Sequence, residues 1–222
     1  MSPRAPSSQD EAAARALLEE GVAVLGLSLP ATTLEALWRY AGLLVKWNRV
    51  YNLTAITRLE EVVTHHLLDA LAVWPWVRQE RVLVDVGSGA GLPGIVLALA
   101  AQAEGRPLEV HSLDAVAKKI AFQRQVAIEL GLKGFHPWHE RIERWQPPAP
   151  ISGIISRAFA RFDEFIALTR HLLPPGGRWY AMKGPRHEEE LAGLPEDVAV
   201  RVVPLEVPGL AEARHLVIGE LR

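Results

Sequence analysis

Val82-Leu83-Val84-Asp85-Val86-Gly87-Ser88-Gly89-Ala90-Gly91-Leu92-Pro93-Gly94 decides the fold. An apolar, β-branched run reads as a buried strand, the alternating glycines as a turn, and Gly94 onward as the start of a helix. Glycine at alternate positions permits backbone angles closed to other residues and lets a ligand lie against bare main chain, while Asp85 supplies an acceptor at the strand end. A strand, a glycine turn and a helix in this order form a nucleotide-cofactor site.

Two cofactors compete for these residues. Gly89-Ala90-Gly91-Leu92-Pro93-Gly94 matches the dinucleotide fingerprint G-x-G-x-x-G of redox enzymes. Asp85-x-Gly87-x-Gly89-x-Gly91 instead matches the acidic-x-G-x-G-x-G first motif of methyltransferases that use S-adenosyl-L-methionine (SAM). The next strand, Leu108 to Leu113, is followed by Asp114, as either ribose-binding scheme requires. Asp114 lies 27 residues beyond Gly87 and 25 beyond Gly89, against roughly 20 for the dinucleotide spacing. That spacing favours the methyltransferase reading.

From Arg81 the pattern alternates between strand and helix, which predicts a parallel sheet covered on both faces. Strands are expected at Val82–Val86, Leu108–Leu113, Gly134–Trp138, Gly153–Ser156, Gly177–Met182, Val198–Pro204 and His215–Glu220, and helices at Leu92–Ala103, Val116–Gly131, Asp163–Leu172 and His187–Leu194. No crossover helix fits between the last two strands, so they should pair antiparallel. The predicted fold is α/β: a seven-stranded class I SAM-dependent methyltransferase sheet, Rossmann-like, with an N-terminal helical extension. The extension is assigned residues 1–78, with 1–9 disordered, and the methyltransferase domain residues 79–222. Within the extension, Asp10–Leu25 reads as a helix. Leu34, Leu37, Trp38, Ala41, Leu44 and Val45 form the stripe of a second, and Thr64 to Leu71 continues as a third before Trp74-Pro75-Trp76 breaks it.

The chain has no cysteine. This removes disulfides, thiolate zinc sites and iron–sulfur clusters, and with them the covalent thiolate route to pyrimidine C5 methylation and radical SAM chemistry. A formal net charge of −2 excludes coating of nucleic acid by bulk electrostatics but leaves room for a local basic face. No apolar run is long enough to span a bilayer, and the N-terminus lacks a signal core, so a cytoplasmic location is expected. His65-His66 with Asp69 lacks a third imidazole or thiol at ligand spacing, and no metal is expected.

Candidate SAM contacts follow from position in such a sheet. The Gly87–Leu92 loop would bracket the methionine part, Asp114 would accept from the ribose hydroxyls, Ile142 would cover the adenine and Glu143 would take its exocyclic amine. Asp85, Gly89 and Gly91 complete the cradle. At the end of the fourth strand, Arg157 suits a phosphate, carbonyl or carboxylate, or else a structural pairing with a nearby acid. The (Asn/Asp/Ser)-Pro-Pro-aromatic motif of exocyclic-amine methylation is missing there. Lys183, leaving the fifth strand, with Lys118, Lys119, Arg124, Arg161 and Arg186, would line a basic rim, to which the extension adds Lys46, Arg49 and Arg58.

Lys46-Trp47-Asn48-Arg49-Val50-Tyr51-Asn52-Leu53-Thr54, His66-Leu67-Leu68-Asp69, Asp85 to Gly94, Leu113-Asp114 with Lys118-Lys119, Ile155-Ser156-Arg157-Ala158, Ala181-Met182-Lys183-Gly184 and Arg214-His215-Leu216-Val217 resemble, in order, the glucose-inhibited division protein B family. The resemblance implies a SAM-dependent methyltransferase acting on guanine N7 in the decoding-region loop of 16S rRNA. It implies as partner that RNA, the small ribosomal subunit or an assembly intermediate, met by a monomer. Its SAM contacts fall on Gly87, Leu92, Ile142, Glu143 and Arg157, of which only Arg157 is new as a cofactor ligand. Ala115 departs from the family's frequent serine. Guanine N7 has an in-plane lone pair and no proton to lose, so positioning can suffice; Asn52, Arg157 and Lys183 are the candidate catalytic contacts. Other readings are a SAM enzyme acting on a protein or small molecule, a SAM- or RNA-binding assembly factor without turnover, and a dehydrogenase.

Overall fold

The computed structural model describes residues 7–157, 159, 161–185, 191 and 193–222. Helix α1 (Ser8–Val24) opens on a reciprocal cap: the Asp10 amide donates to Ser7 Oγ at 3.2 Å and the Ser7 amide to Asp10 Oδ2 at 2.9 Å. Residues 7–9, expected in a disordered lead, are therefore the cap and first turn of this helix. Helix α2 (Ala31–Tyr51) buries Leu37, Ala41 and Leu44 as the stripe predicts, together with Tyr40 and Asn48, and ends where Asn52 turns left-handed at φ 49°.

The third helical stretch is not regular. Helix α3 (Leu59–Val62) runs into a π-helix at Val63–Leu68 and out through α4 (Asp69–Leu71). A widened turn misaligns backbone carbonyls from their usual partners and leaves them open to other donors. Trp74-Pro75-Trp76, read as a break, instead begins the short helix α5 (Trp74–Val77), because proline is tolerated in a first turn whose amide needs no partner.

The sheet comprises β1 (Val82–Val86), β2 (Glu109–Asp114), β3 (Phe135–His139), β4 (Gly153–Ser156), β5 (Arg178–Lys183), β6 (Val198–Leu205) and β7 (Arg214–Leu221), in the order β3-β2-β1-β4-β5-β7-β6. Pairings among β1 to β5 are parallel; β7 runs antiparallel to both β5 and β6, as the missing crossover predicted. Helices α6 (Gly94–Ala103), α7 (Ala117–Leu130) and α8 (Phe162–Thr169) fall within two residues of expectation at their starts. The helix expected over His187–Leu194 lies largely outside the described residues, as does Arg186 of the expected basic rim.

Alternation along the strands splits the core in two. Leu83, Ile155, Tyr180 and Ile218 join α1 to α7 in one apolar cluster, whereas Val84, Ile154, Trp179 and Val217 join α8 in the other. The N-terminal helices thus share a core with α6, α7 and one sheet face. Their burial against that face fixes where α2 and the π-helix meet the carboxyl ends of the strands.

Candidate active site

Asp85 is fully buried on the α6 side of β1. Its Oδ2 accepts from the Gly94 amide at 2.8 Å, which ties the strand end to the first turn of α6, where partial positive charge collects. A Cβ on Gly94 would stand 2.8 Å from that oxygen, so only glycine brings helix and strand this close. Oδ1 has no hydrogen-bond partner, and burial pushes the carboxyl up to about 7 against the opposing pull of the Gly94 amide and Arg157.

Between strand and helix, Gly87, Gly89 and Gly91 have φ of 69°, 59° and 89°, a region that L side chains avoid. The space beside them differs. A Cβ on Gly91 would strike Ile95 Cδ1 at 2.3 Å, whereas one on Gly89 would meet nothing within 4 Å. Gly91 is glycine for packing; Gly89 borders open space above the strand ends, the cradle that a ligand lying on bare main chain requires.

Three side chains hold this loop. Asp114, at the end of β2, accepts from the Gly89 amide at 2.9 Å through Oδ2 and from the Val116 amide at 2.8 Å through Oδ1, with Lys119 Nζ 3.5 Å away. Gln123 on α7 donates from Nε2 to Ser88 Oγ at 2.9 Å and to the Gly89 carbonyl at 2.8 Å. Tyr40 reaches in from α2, its hydroxyl donating to the Ala90 carbonyl at 2.8 Å. Burial raises the Tyr40 pKa above its ordinary value, which keeps the hydroxyl a donor.

Beyond β4 the charges converge on the π-helix. Arg157 Nη1 donates to the His65 carbonyl at 3.0 Å, lies 3.2 Å from His66 Nδ1, and stands 3.6 Å from the buried Asp69 carboxylate. Arg214, entering β7, approaches the other Asp69 oxygen at 3.5 Å. Burial raises the Asp69 pKa while both guanidiniums oppose it; His66 is driven down to about 4 by burial and by Arg157, so it is neutral at pH 7. Thr54 Oγ1 sits 3.0 Å from His66 Nε2, and Asn48 pins Thr54 with two bonds of 2.9 Å.

Sequence-based candidates thus divide. Asp85, Gly87, Gly89, Gly91, Leu92 and Asp114 gather at the carboxyl ends of β1 and β2, though Leu92 faces the core rather than solvent. Ile142 is packed in the α8-side cluster and Glu143 is exposed. Arg157 takes the acid-paired alternative, with its side chain still 29% exposed. Lys183 is buried and donates to the Phe159 carbonyl at 2.7 Å, while Asn52 is an exposed helix cap. Sequence reasoning missed Tyr40, Gln123, Asn48 and Arg214 as site-building residues. Tyr40 lies in α2 outside the stripe read from the sequence, and Asn48 and Arg214 lie within the quoted motifs, but nothing in a linear pattern says which atoms they meet.

Residues 33–217 match the family described as rRNA small subunit methyltransferase G. The chain belongs to that family. Among curated relatives, ribosomal RNA small subunit methyltransferase G of Aromatoleum aromaticum is 52% identical over 206 residues, covering 92% of this chain and 98% of its own. The homologue from Azoarcus sp. is 49% identical over 203 residues, or 90% and 93% of the two chains. An O-methyltransferase from Bacillus cereus, solved in complex with SAH, shares the fold at 15% identity and a TM-score of 0.59, over 96% of this chain and 100% of its own. The chain accordingly belongs to a methyltransferase family and has the class I methyltransferase fold. Membership of a methyltransferase family favours the register that reads Asp85 to Gly91 as a methyltransferase motif over the overlapping dinucleotide fingerprint.

Proposed function

We propose that the chain transfers the methyl group of SAM to N7 of a guanine in 16S rRNA. The observation that carries this reading is the state of the two strand-end carboxylates. Asp85 is turned under α6, and Asp114 already receives two backbone amides. Neither is placed to take a proton from an exocyclic amine, and guanine N7 has none to give. Bound SAM would supply a sulfonium-activated methyl group, which needs an aligned lone pair rather than a base.

The remaining work falls to orientation and exclusion of water. In this reading Gly87, Gly89 and Gly91 offer bare main chain, with Leu92 packing the end of the loop into the core. Asp114 accepts from the ribose hydroxyls through lone pairs its two amides leave open, Ile142 bounds an apolar wall, and Glu143 accepts from the adenine amine. Arg157, clamped between the His65 carbonyl and Asp69, keeps its side chain 29% exposed. With Lys183 and Asn52 it orients the purine, which must leave its stack to enter. The chain acts as a monomer in the cytoplasm, on the small subunit or an assembly intermediate.

The test uses the purified chain, methyl-labelled SAM, and small-subunit particles and RNA from cells lacking the enzyme. Label should appear as N7-methylguanosine at one nucleotide. Label on protein or metabolite fractions would replace the reading with another methyltransferase. SAM binding without any methylated product would replace it with an assembly factor.

A further inference from the structure

The last turn of α2 exposes Tyr51 (41%) beside Val50 (71%), although the helix is otherwise folded onto the core. The Tyr51 ring is not loose. Its centroid lies 5.2 Å from that of Trp47, whose ring lies 5.4 Å from Phe122 on α7, and Phe122 is stacked 6.2 Å from Tyr40. Tyr40 in turn holds the Ala90 carbonyl of the glycine loop. A row of four aromatic rings therefore leads from solvent to the cofactor cradle. Directly after Tyr51 the chain turns left-handed at Asn52, so the helix ends there and leaves the ring at its tip.

The charge around this tip is one-sided. From Leu44 to Leu59 the sequence carries Lys46, Arg49 and Arg58 and no acid; from Ala115 to Ile128 it carries Lys118, Lys119 and Arg124 and again no acid. Helices α2 and α7 pack together, and Lys118 and Lys119 lie one turn before Phe122, at spacings of four and three. Lys119 is paired with Asp114 at 3.5 Å and Arg58 with Glu60 at 2.9 Å, but Lys46, Arg49, Lys118 and Arg124 are exposed. A chain with a net charge of −2 thus still gathers cations on the two helices that carry the aromatic row. Phosphates are the complement of those charges, and an unpaired base is the complement of that face.

We propose that Tyr51 is a stacking platform for an unpaired base of the RNA flanking the target nucleotide, with the exposed Lys46 and Lys118 neutralising the adjoining phosphates. This rests on the RNA-methyltransferase reading above and adds a contact outside the methyl-transfer site. Trp47 holds the ring ready, so little side-chain freedom is lost on binding. Because the row ends on the Ala90 carbonyl, RNA seated on Tyr51 also abuts the support of the glycine loop.

RNA affinity, SAM affinity and turnover are measured separately for the wild type, Tyr51→Ala and Tyr51→Phe, using small-subunit RNA particles. Tyr51→Ala should weaken RNA binding and raise the KM for RNA by roughly ten-fold, with SAM affinity, melting temperature and kcat at saturating RNA unchanged. Tyr51→Phe should retain wild-type behaviour, since the ring face is kept. Unchanged RNA affinity in Tyr51→Ala, or equal weakening in Tyr51→Phe, overturns the proposal. A wild type that binds RNA without methylating it overturns the functional reading alone, and the Tyr51→Ala binding loss would still stand.

Discussion

The Tyr40 hydroxyl on α2 donates to the carbonyl oxygen of Ala90, fifty residues along the chain, at 2.8 Å. The first half of this relationship belongs to the N-terminal helices and the second to the cofactor loop. The helical extension is therefore a prop for the cradle as well as a cover for the sheet.

Tyr40→Phe keeps the ring in the core and removes only the donor. The Ala90 carbonyl, buried with its residue at 4% exposure, then lacks this partner, a loss of about 1–3 kcal/mol. Urea unfolding should register that loss, and calorimetry should show weaker SAM binding. Wild-type SAM affinity in the destabilised variant would mean that the bond serves folding alone.

Gly89→Ala and Gly91→Ala should fail differently. Both sit at positive φ and carry a conformational cost of about 1 kcal/mol. At Gly91 the new methyl also drives into Ile95 at 2.3 Å, adding about 1–3 kcal/mol of overpacking. At Gly89 it meets nothing in the protein and occupies the space assigned to the ligand. Gly89→Ala should melt near the wild type yet bind SAM poorly, and Gly91→Ala should lose mainly stability; the reverse pattern would sink the assignment of that space.

Asp69 stands between Arg157 at 3.6 Å and Arg214 at 3.5 Å. Arg157→Ala leaves the buried carboxylate one guanidinium, which costs about 2 kcal/mol, below the range for a fully buried pair because Arg157 is partly exposed. Methyl transfer should fall as well. Combining Arg157→Ala with Asp69→Asn should cost less stability than the two single losses summed, whereas additive losses would show that the pair is not coupled.

The buried Asp85 makes stability depend on pH. Its carboxyl is raised from 3.8 to about 7 in the folded chain, so the folded state keeps a proton that the unfolded state releases over this interval. The stabilising contribution is complete below about pH 4 and is lost as pH rises through 7. The total is on the order of 4 kcal/mol. Asp85→Asn cannot titrate and should lack that decline. Urea unfolding of both proteins at pH 4.5, 6 and 7.5 isolates the effect, because His66 and every other group are common to the two; parallel curves would contradict it.

Much of the fold was legible because sheet burial writes itself into local pattern. Strands β1 and β4 are buried on both faces and show consecutive apolar residues, Val82-Leu83-Val84 and Ile154-Ile155, and the missing crossover before β7 predicts its antiparallel course. The π-helix was not legible, since Thr64 to Leu68 carry an ordinary helical pattern and the widening shows only where Arg157 meets the His65 carbonyl. Pro75 misled for a related reason: proline breaks a helix interior but suits a first turn, and only the path of the chain says which applies.

By itself, the sequence determined the class of sheet and the glycine turn with its two acids, because each depends on residues close together in the chain or repeated at a fixed period. Tertiary structure alone decided what those residues do to one another. It turned Asp85 under α6, gave both Asp114 oxygens to backbone amides, clamped Arg157 against Asp69, and brought Tyr40 and Gln123 onto the loop. Most of these are contacts between separated segments, and apart from the Arg157–Asp69 pair and the Gln123–Ser88 bond their partners are main-chain atoms present at every residue. No pattern of side chains can specify them before the core has packed.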